Sequence, residues 1–356
     1  MPGEAVQRPS YPTRPDAMQA GWLAEALGHP ARSLRGFASQ PVGTGQMCDS
    51  FRLTLDWVDR PEGAPTSVIA KCPSLDPASR DVAQKLGGYL LEVSWYQTLA
   101  NEVGVPRPHC HFARIEPDGV EFLLLLEDLT PARQGDQLRG ASMTELHVAI
   151  DAAAALHAPL WNSPRLAAID WLQRDTRPIV RALFPSYFEQ FRVRYATRLD
   201  PACLALGAEL VEKLDAYLER EPSARSLQHG DLRVDNILFA PDSSACWVVD
   251  WQTVAAGTGA SDLAYLLGTS IANPAERAAL DRPAFDRWIA GLAAHGVTPD
   301  VTALWTDYCI GALSGYFMAV FASMSVERTE RGDEMFAVMA ERPARQALAL
   351  GSLDLL

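Results

Sequence analysis

The run His229-Gly230-Asp231-Leu232-Arg233-Val234-Asp235-Asn236 limits the folds open to this chain more tightly than any other stretch. It sets an aspartate and an asparagine five residues apart on one loop. Two short apolar runs follow, Ile237-Leu238-Phe239 and Trp247-Val248-Val249, and the second ends at Asp250. Runs of this length and composition pair as a hairpin. The three polar residues are what in-line phosphoryl transfer requires. Asp231 can orient or deprotonate an acceptor hydroxyl, while Asn236 and Asp250 offer hard oxygen ligands to Mg²⁺ on nucleotide phosphates. Either aspartate alone is ordinarily a turn or strand-end residue, so the order and spacing of the set carry the signal.

The rest of the chain is compatible with such a site. With 356 residues it has room for one large domain or two lobes, and 48% hydrophobic and 21% charged residues are ordinary globular values. A net charge of -13 argues against nucleic acid as a partner, because phosphate recognition needs clustered Lys and Arg. The six cysteines are scattered without a CxxC pair, which suits neither a metal site nor a disulfide framework and fits a reducing cytoplasm. Residues 1–20 read as a flexible arm without the apolar stretch of a signal peptide. Cys309 to Met324 is apolar with Gly311 and Gly315 at GxxxG spacing, but it is short for a span and follows Asp307, so a buried core helix is expected and no membrane.

Periodicity divides the chain. Phe51 to Val58 and Ser67 to Lys71 read as strands joined by the turn PEGAP, Asp81 to Asn101 as a helix, and Val120 to Leu126 as a buried strand or helix stub. From Ser142 onward helical patterns dominate, over Ser142 to His157, Pro185 to Thr197 and Cys203 to Arg220, with a β-rich interruption from Asn236 to Asp250.

At HGDLRVDN and DWQ the sequence resembles the aminoglycoside phosphotransferase and choline kinase superfamily, and within it the ecdysteroid-kinase-like branch. Ser261-Asp262-Leu263-Ala264-Tyr265 is similar to the family's DLAY segment. The resemblance implies that Asp262 braces the catalytic loop and that His229 is a structural support rather than an acid or base. It also implies an α+β, protein-kinase-like two-lobed fold. An N-lobe over 21–126 would carry a five-stranded antiparallel sheet, and a mainly helical C-lobe would occupy 127–356, with ATP in the cleft.

The nucleotide half follows from the same resemblance. Gly43 and Gly45 precede a strand, where glycines let backbone N–H groups approach phosphates, and Ser50 adds a candidate phosphate contact. Lys71 ends an apolar strand in a chain with only three lysines, at the place of the family's phosphate-pairing lysine. Glu92 sits beside the stripe Leu91, Trp95, Leu99, where that lysine's ion-pair partner is expected. Leu125-Leu126-Glu127-Asp128-Leu129 matches the hinge, whose backbone from Glu127 to Leu129 would meet adenine. No side-chain role is read for Glu127 or Asp128. GTP in place of ATP stays open.

His109-Cys110-His111 lacks a further ligand at useful spacing, and no GxxxxGK[ST], GxSxG or HExxH motif occurs. A pseudokinase or nucleotide-binding scaffold is disfavoured because the lysine, the catalytic aspartate and both metal ligands are all present. A protein kinase is disfavoured by HGD in place of HRD and by the lack of an APE segment. The acceptor is expected to be a small-molecule alcohol bound by residues within 140–225 and 262–330. Aromatics there, among them Phe184, Tyr308 and Tyr316, tilt the expectation toward a neutral, apolar alcohol over an aminoglycoside.

Overall fold

The computed structural model describes residues 9–43, 47–326 and 328–356. The chain divides into two compact units, one of residues 1–100 and 108–130, the other of 101–107 and 131–356. The boundary therefore falls after Thr130 rather than before Glu127, and the short stretch after Ala100 belongs to the second unit. One hydrogen bond that ties this stretch there runs from the Val248 N–H to Pro106 O at 2.8 Å.

The first unit contains α1 (Ala20–Ala26), β1 (Leu34–Pro41), β2 (Cys48–Trp57), β3 (Ser67–Pro73), α2 (Pro77–Leu86), α3 (Gly88–Ser94), β4 (Cys110–Ile115) and β5 (Phe122–Glu127). The strands form an antiparallel sheet in the order β1-β2-β3-β5-β4. In β2 the buried Leu53, Leu55 and Trp57 alternate with Thr54 and Asp56, the period of a half-buried strand. β5 is apolar from Phe122 to Leu126 because that stretch is covered on both faces. Leu123 and Leu125 join the core under α1, while Phe122 meets the Tyr89 ring of α3 at 4.6 Å.

Two expectations change here. Residues 9–20 are not a loose arm: Tyr11 and Met18 are buried in the sheet's core, and Arg14 donates to Asp49 at 2.8 Å and to Pro73 O at 2.9 Å. Residues 1–8 lie outside the described residues. The single helix expected from Asp81 to Asn101 is broken at Gly87, whose left-handed backbone (φ 61°) caps α2 before α3 begins. α3 then runs on into a π-helical turn over Trp95–Leu99.

The second unit contains β6 (Arg133–Gln134), α4 (Met143–His157), α5 (Arg177–Tyr195), α6 (Pro201–Glu212), α7 (Leu214–Glu219), β7 (Ser226–Gln228), β8 (Ile237–Phe239), β9 (Cys246–Val248), β10 (Ala255–Gly257), α8 (Gly259–Ser270), α9 (Pro274–Ala294), α10 (Val301–Gly311), α11 (Leu313–Ser325) and α12 (Glu330–Leu350). α4 starts in a capping box, Ser142 with Glu145, as its sequence pattern requires. α8 is buried almost all round and packs against α4, α9, α10, α11 and α12, which makes it the axis of the unit.

The apolar run beyond Asp307 bends at Ala312 into two helices. Val301–Ser325 is long and apolar enough to cross a membrane, yet 61% of its most apolar window is buried inside the fold. Its glycines explain the packing. A Cβ on Gly311 would stand 2.7 Å from Ser261 Cα, and one on Gly315 would stand 2.6 Å from Pro343 Cγ. Both positions are contact points with α8 and α12.

Candidate functional site

In the second unit β7 leads into His229, and the backbone turns at Gly230 with φ 82°. A Cβ there would lie 2.5 Å from Thr253 O, so both conformation and space demand glycine. The N–H groups of His229 and Gly230 donate to the two oxygens of Asp262 on α8, at 2.6 and 2.9 Å. His157 of α4 also reaches Asp262 at 3.2 Å. Because its Nδ1 accepts from the Trp288 indole at 3.0 Å, its Nε2 is the donor.

The His229 ring is fixed in the same way. Nδ1 accepts from the Asp231 N–H at 3.2 Å, Nε2 donates to Val249 O at 3.1 Å, and Trp251 packs on the ring at 4.8 Å. Both nitrogens are committed to backbone, and the side chain is fully buried.

The carboxylate of Asp231 is surrounded by donors. The Tyr265 hydroxyl meets Oδ1 at 2.7 Å, Asn236 Nδ2 meets Oδ2 at 2.8 Å, and Arg233 Nε lies 3.2 and 3.3 Å from the two oxygens. Arg233 also bridges to Asp235 at 2.6 Å and to Gln137 at 3.3 Å. Burial pushes the Arg233 pKa down, but the charge of Asp231 and the neighbouring Tyr265 and Asp235 hold it above its ordinary value. Tyr265 is pushed well up by burial and then by the Asp231 charge, so it remains a donor.

Asn236 spends its amide nitrogen on Asp231, on the main-chain oxygen at 2.9 Å as well as on the carboxylate. Its amide oxygen is then the atom left for a cation. β8 and β9 pair with Ile237 opposite Val248, and the Val249 N–H closes onto Asn236 O at 2.9 Å. Asp250, one residue further, therefore stands at the same end of the hairpin as Asn236. Its backbone is left-handed, φ 69°, a conformation that costs a non-glycine residue about 1–2 kcal/mol and is least unfavourable for Asn and Asp. One carboxylate and one amide oxygen suit Mg²⁺, which keeps waters and takes further oxygens from phosphates. Among the described residues no group of three or more His, Cys, Asp or Glu side chains is arranged to hold a metal without such help.

In the first unit Lys71 of β3 contacts both oxygens of Glu92 on α3, at 2.8 and 2.7 Å, with the two side chains 13% and 1% exposed. A carboxylate this buried needs its partner. Ser50 lies opposite Lys71 in the β2/β3 ladder, so the two side chains share a face. Gly43 is left-handed, φ 78°, with open space where a Cβ would be. Gly45 lies outside the described residues. The Glu127 N–H donates to His109 O at 2.8 Å and its carboxylate accepts from the His109 N–H at 3.0 Å, so neither is free to meet a base, and the peptide at Leu129 is a candidate donor to one. His109 and His111 stack edge to face at 4.7 Å.

Several site residues escaped the sequence. Tyr265 was findable: it stands three residues after Asp262 on a helix, hence on the same side as the residue that braces the loop. Arg233 lies inside the motif but has no role in the resemblance. His157 and Trp288 carry no local signal, and Asp128 proved buried and paired with Arg52 rather than solvated.

Comparisons with known proteins bear on the fold and the family. Of solved structures, a point mutant of aminoglycoside 2′-phosphotransferase IIIa in complex with GDP superposes with a TM-score of 0.55 at 15% identity, over 89% of this chain and 94% of that one. Choline kinase from Cryptosporidium parvum Iowa II gives 0.52 at 13% identity, over 90% and 91%. Ethanolamine kinase from Plasmodium vivax gives 0.51 at 11%, over 88% and 82%. At such identities the likeness establishes the α+β, protein-kinase-like fold. A curated relative, acyl-CoA dehydrogenase family member 11 of Gallus gallus, is 25% identical over 248 residues. That match takes in 66% of this chain but 29% of the relative, so the chain spans under a third of that protein. The profile of the phosphotransferase enzyme family matches residues 76–294, a segment that includes Glu92, the whole His229 to Asp250 constellation and Asp262. The chain belongs to the phosphotransferase enzyme family.

Proposed function

We propose that this protein transfers the γ-phosphoryl group of ATP to a hydroxyl of a small molecule in an Mg²⁺-dependent reaction. The observation that carries this reading is the His229 to Asn236 loop, which joins an acceptor-facing carboxylate to a metal-facing amide through one pair of hydrogen bonds from Asn236 to Asp231. In this reading Asp231 receives and orients the acceptor hydroxyl, and Asn236 and Asp250 hold Mg²⁺. The metal, when bound, neutralises charge on the phosphates. Lys71, fixed by Glu92, binds phosphate oxygens together with Ser50 and the Gly43 backbone, and Leu129 meets the base.

A neutral, largely apolar alcohol is the favoured acceptor class. The neighbours of Asp231 include the Arg233 guanidinium and the Tyr265 hydroxyl, with the Met339 sulfur 4.0 Å from that hydroxyl. Arg233 offsets part of the charge of Asp231 and Asp235, which weakens the pull of the site on an amine-bearing acceptor. Of the aromatics that favoured this class in the sequence, Phe184, Tyr308 and Tyr316 are buried in the helical core and do not contribute to a pocket. The test is ADP release with matched neutral and cationic alcohols at two ionic strengths. Efficient, salt-sensitive turnover of aminoglycosides alone would sink the apolar reading, and ATP binding without turnover on any alcohol would favour a scaffold.

Lys71→Ala is expected to weaken nucleotide binding and turnover together, and Glu92→Gln to do the same more mildly. Because the two side chains are in contact, their coupling in a double-mutant cycle should be on the order of 0.5–3 kcal/mol. Strictly additive effects on nucleotide affinity would assign Glu92 to the fold alone.

A further inference from the structure

Asp128 follows β5 directly, and its side chain is 3% exposed. Its carboxylate collects donors from three parts of the chain. Arg52 Nε and Nη2 on β2 reach it at 2.6 and 3.2 Å, Ser67 Oγ at the start of β3 at 2.7 Å, and Thr130 through N at 3.2 Å and Oγ1 at 2.8 Å. Arg52 Nη2 also donates to Thr130 Oγ1 at 2.8 Å. Burial alone would raise the Asp128 pKa, but the bonds from Arg52, Ser67 and Thr130 prevail and hold it at about 2.

An ion pair whose arginine is 37% exposed adds little stability of its own, since solvent screens it. The sheet does not need it either, because β2, β3 and β5 are already joined by backbone ladders. What these contacts fix is the main chain from Asp128 to Thr130. The bond from the Thr130 N–H to Asp128 Oδ1 closes an Asx turn with Leu129 at its centre. The direction of the Leu129 peptide is thus set by side chains.

We propose that Asp128, clamped by Arg52, is a positioning residue for the nucleotide base: it holds Leu129 where its main chain meets the base and has no part in binding the phosphates. This rests on the nucleotide reading above, in which Lys71 serves the phosphates.

Equilibrium binding of two probes to the 356-residue chain separates these roles. ATP has base and phosphates, whereas inorganic tripolyphosphate has the phosphate chain alone; both are titrated with Mg²⁺. Asp128→Asn is expected to weaken ATP about 10-fold, the worth of one hydrogen bond, and to leave tripolyphosphate within about 2-fold. Arg52→Lys keeps the charge but loses the two-pronged contact. It should give the same pattern at smaller amplitude, and it keeps the test valid if Asp128→Asn fails to fold. Lys71→Ala should weaken both probes. If the two hinge variants leave ATP binding at the wild-type level, or weaken both probes alike, the inference is overturned while the nucleotide reading stands on Lys71. Wild-type protein that binds no ATP overturns both.

Discussion

Asp231→Asn lowers turnover by about 100- to 10,000-fold, the range expected when a positioned general base is lost, with nucleotide affinity nearly unchanged. The substitution preserves volume and leaves one oxygen to accept from Tyr265, but the amide cannot take a proton and offers Arg233 no charge. Arg233 keeps Asp235 as a partner, so the loop should remain folded. Tyr265→Phe is the informative companion. Removing one donor to Asp231 costs about 10-fold in turnover, and ATP affinity should not move. Single-turnover phosphoryl transfer on the acceptor found in the alcohol screen measures both. Near wild-type rates in Asp231→Asn would remove this residue from the mechanism and leave the loop a structural feature.

Asp250→Ala is expected to abolish the Mg²⁺ dependence of ATP binding, because it removes the charged member of the proposed metal pair and the Asn236 amide is neutral. The left-handed backbone complicates that substitution. Alanine at φ 69° carries about 1–2 kcal/mol of strain in addition to the lost ligand. Asp250→Asn separates the two effects, since asparagine accepts this conformation and keeps an oxygen in place. Both variants should lose the metal response in titrations of Mg²⁺ at fixed nucleotide, and Asp250→Ala alone should also lose thermal stability. An unchanged Mg²⁺ response in both would move the metal site elsewhere.

The loop and its hairpin were legible because their constraints are local. Residues 229–236 and 237–250 form contiguous units whose spacing survives in the sequence. Lys71 and Glu92 were legible for a different reason: each occupies a recognisable place on its own element, and their contact follows once the helix lies on the sheet. The π-turn after Ser94 and the break at Ala312 were not legible, because helices that pass through them have the same apolar periodicity as helices that do not. Asp128 was hidden for a physical reason. Its partners Arg52 and Ser67 come from other strands, and a short polar segment after an apolar strand reads as solvent-exposed unless that pairing is known.

The chain of contacts from Trp288 through His157 to Asp262 has a consequence for how new specificities can arise on this scaffold. The two N–H groups that shape the start of the loop answer to the helical interior, not to any ligand. Side chains around the acceptor can therefore drift under selection while the reactive loop keeps its shape. A saturation-mutagenesis map of this protein would correspondingly score Trp288 as an active-site position, although its role is to hold a histidine that holds a carboxylate.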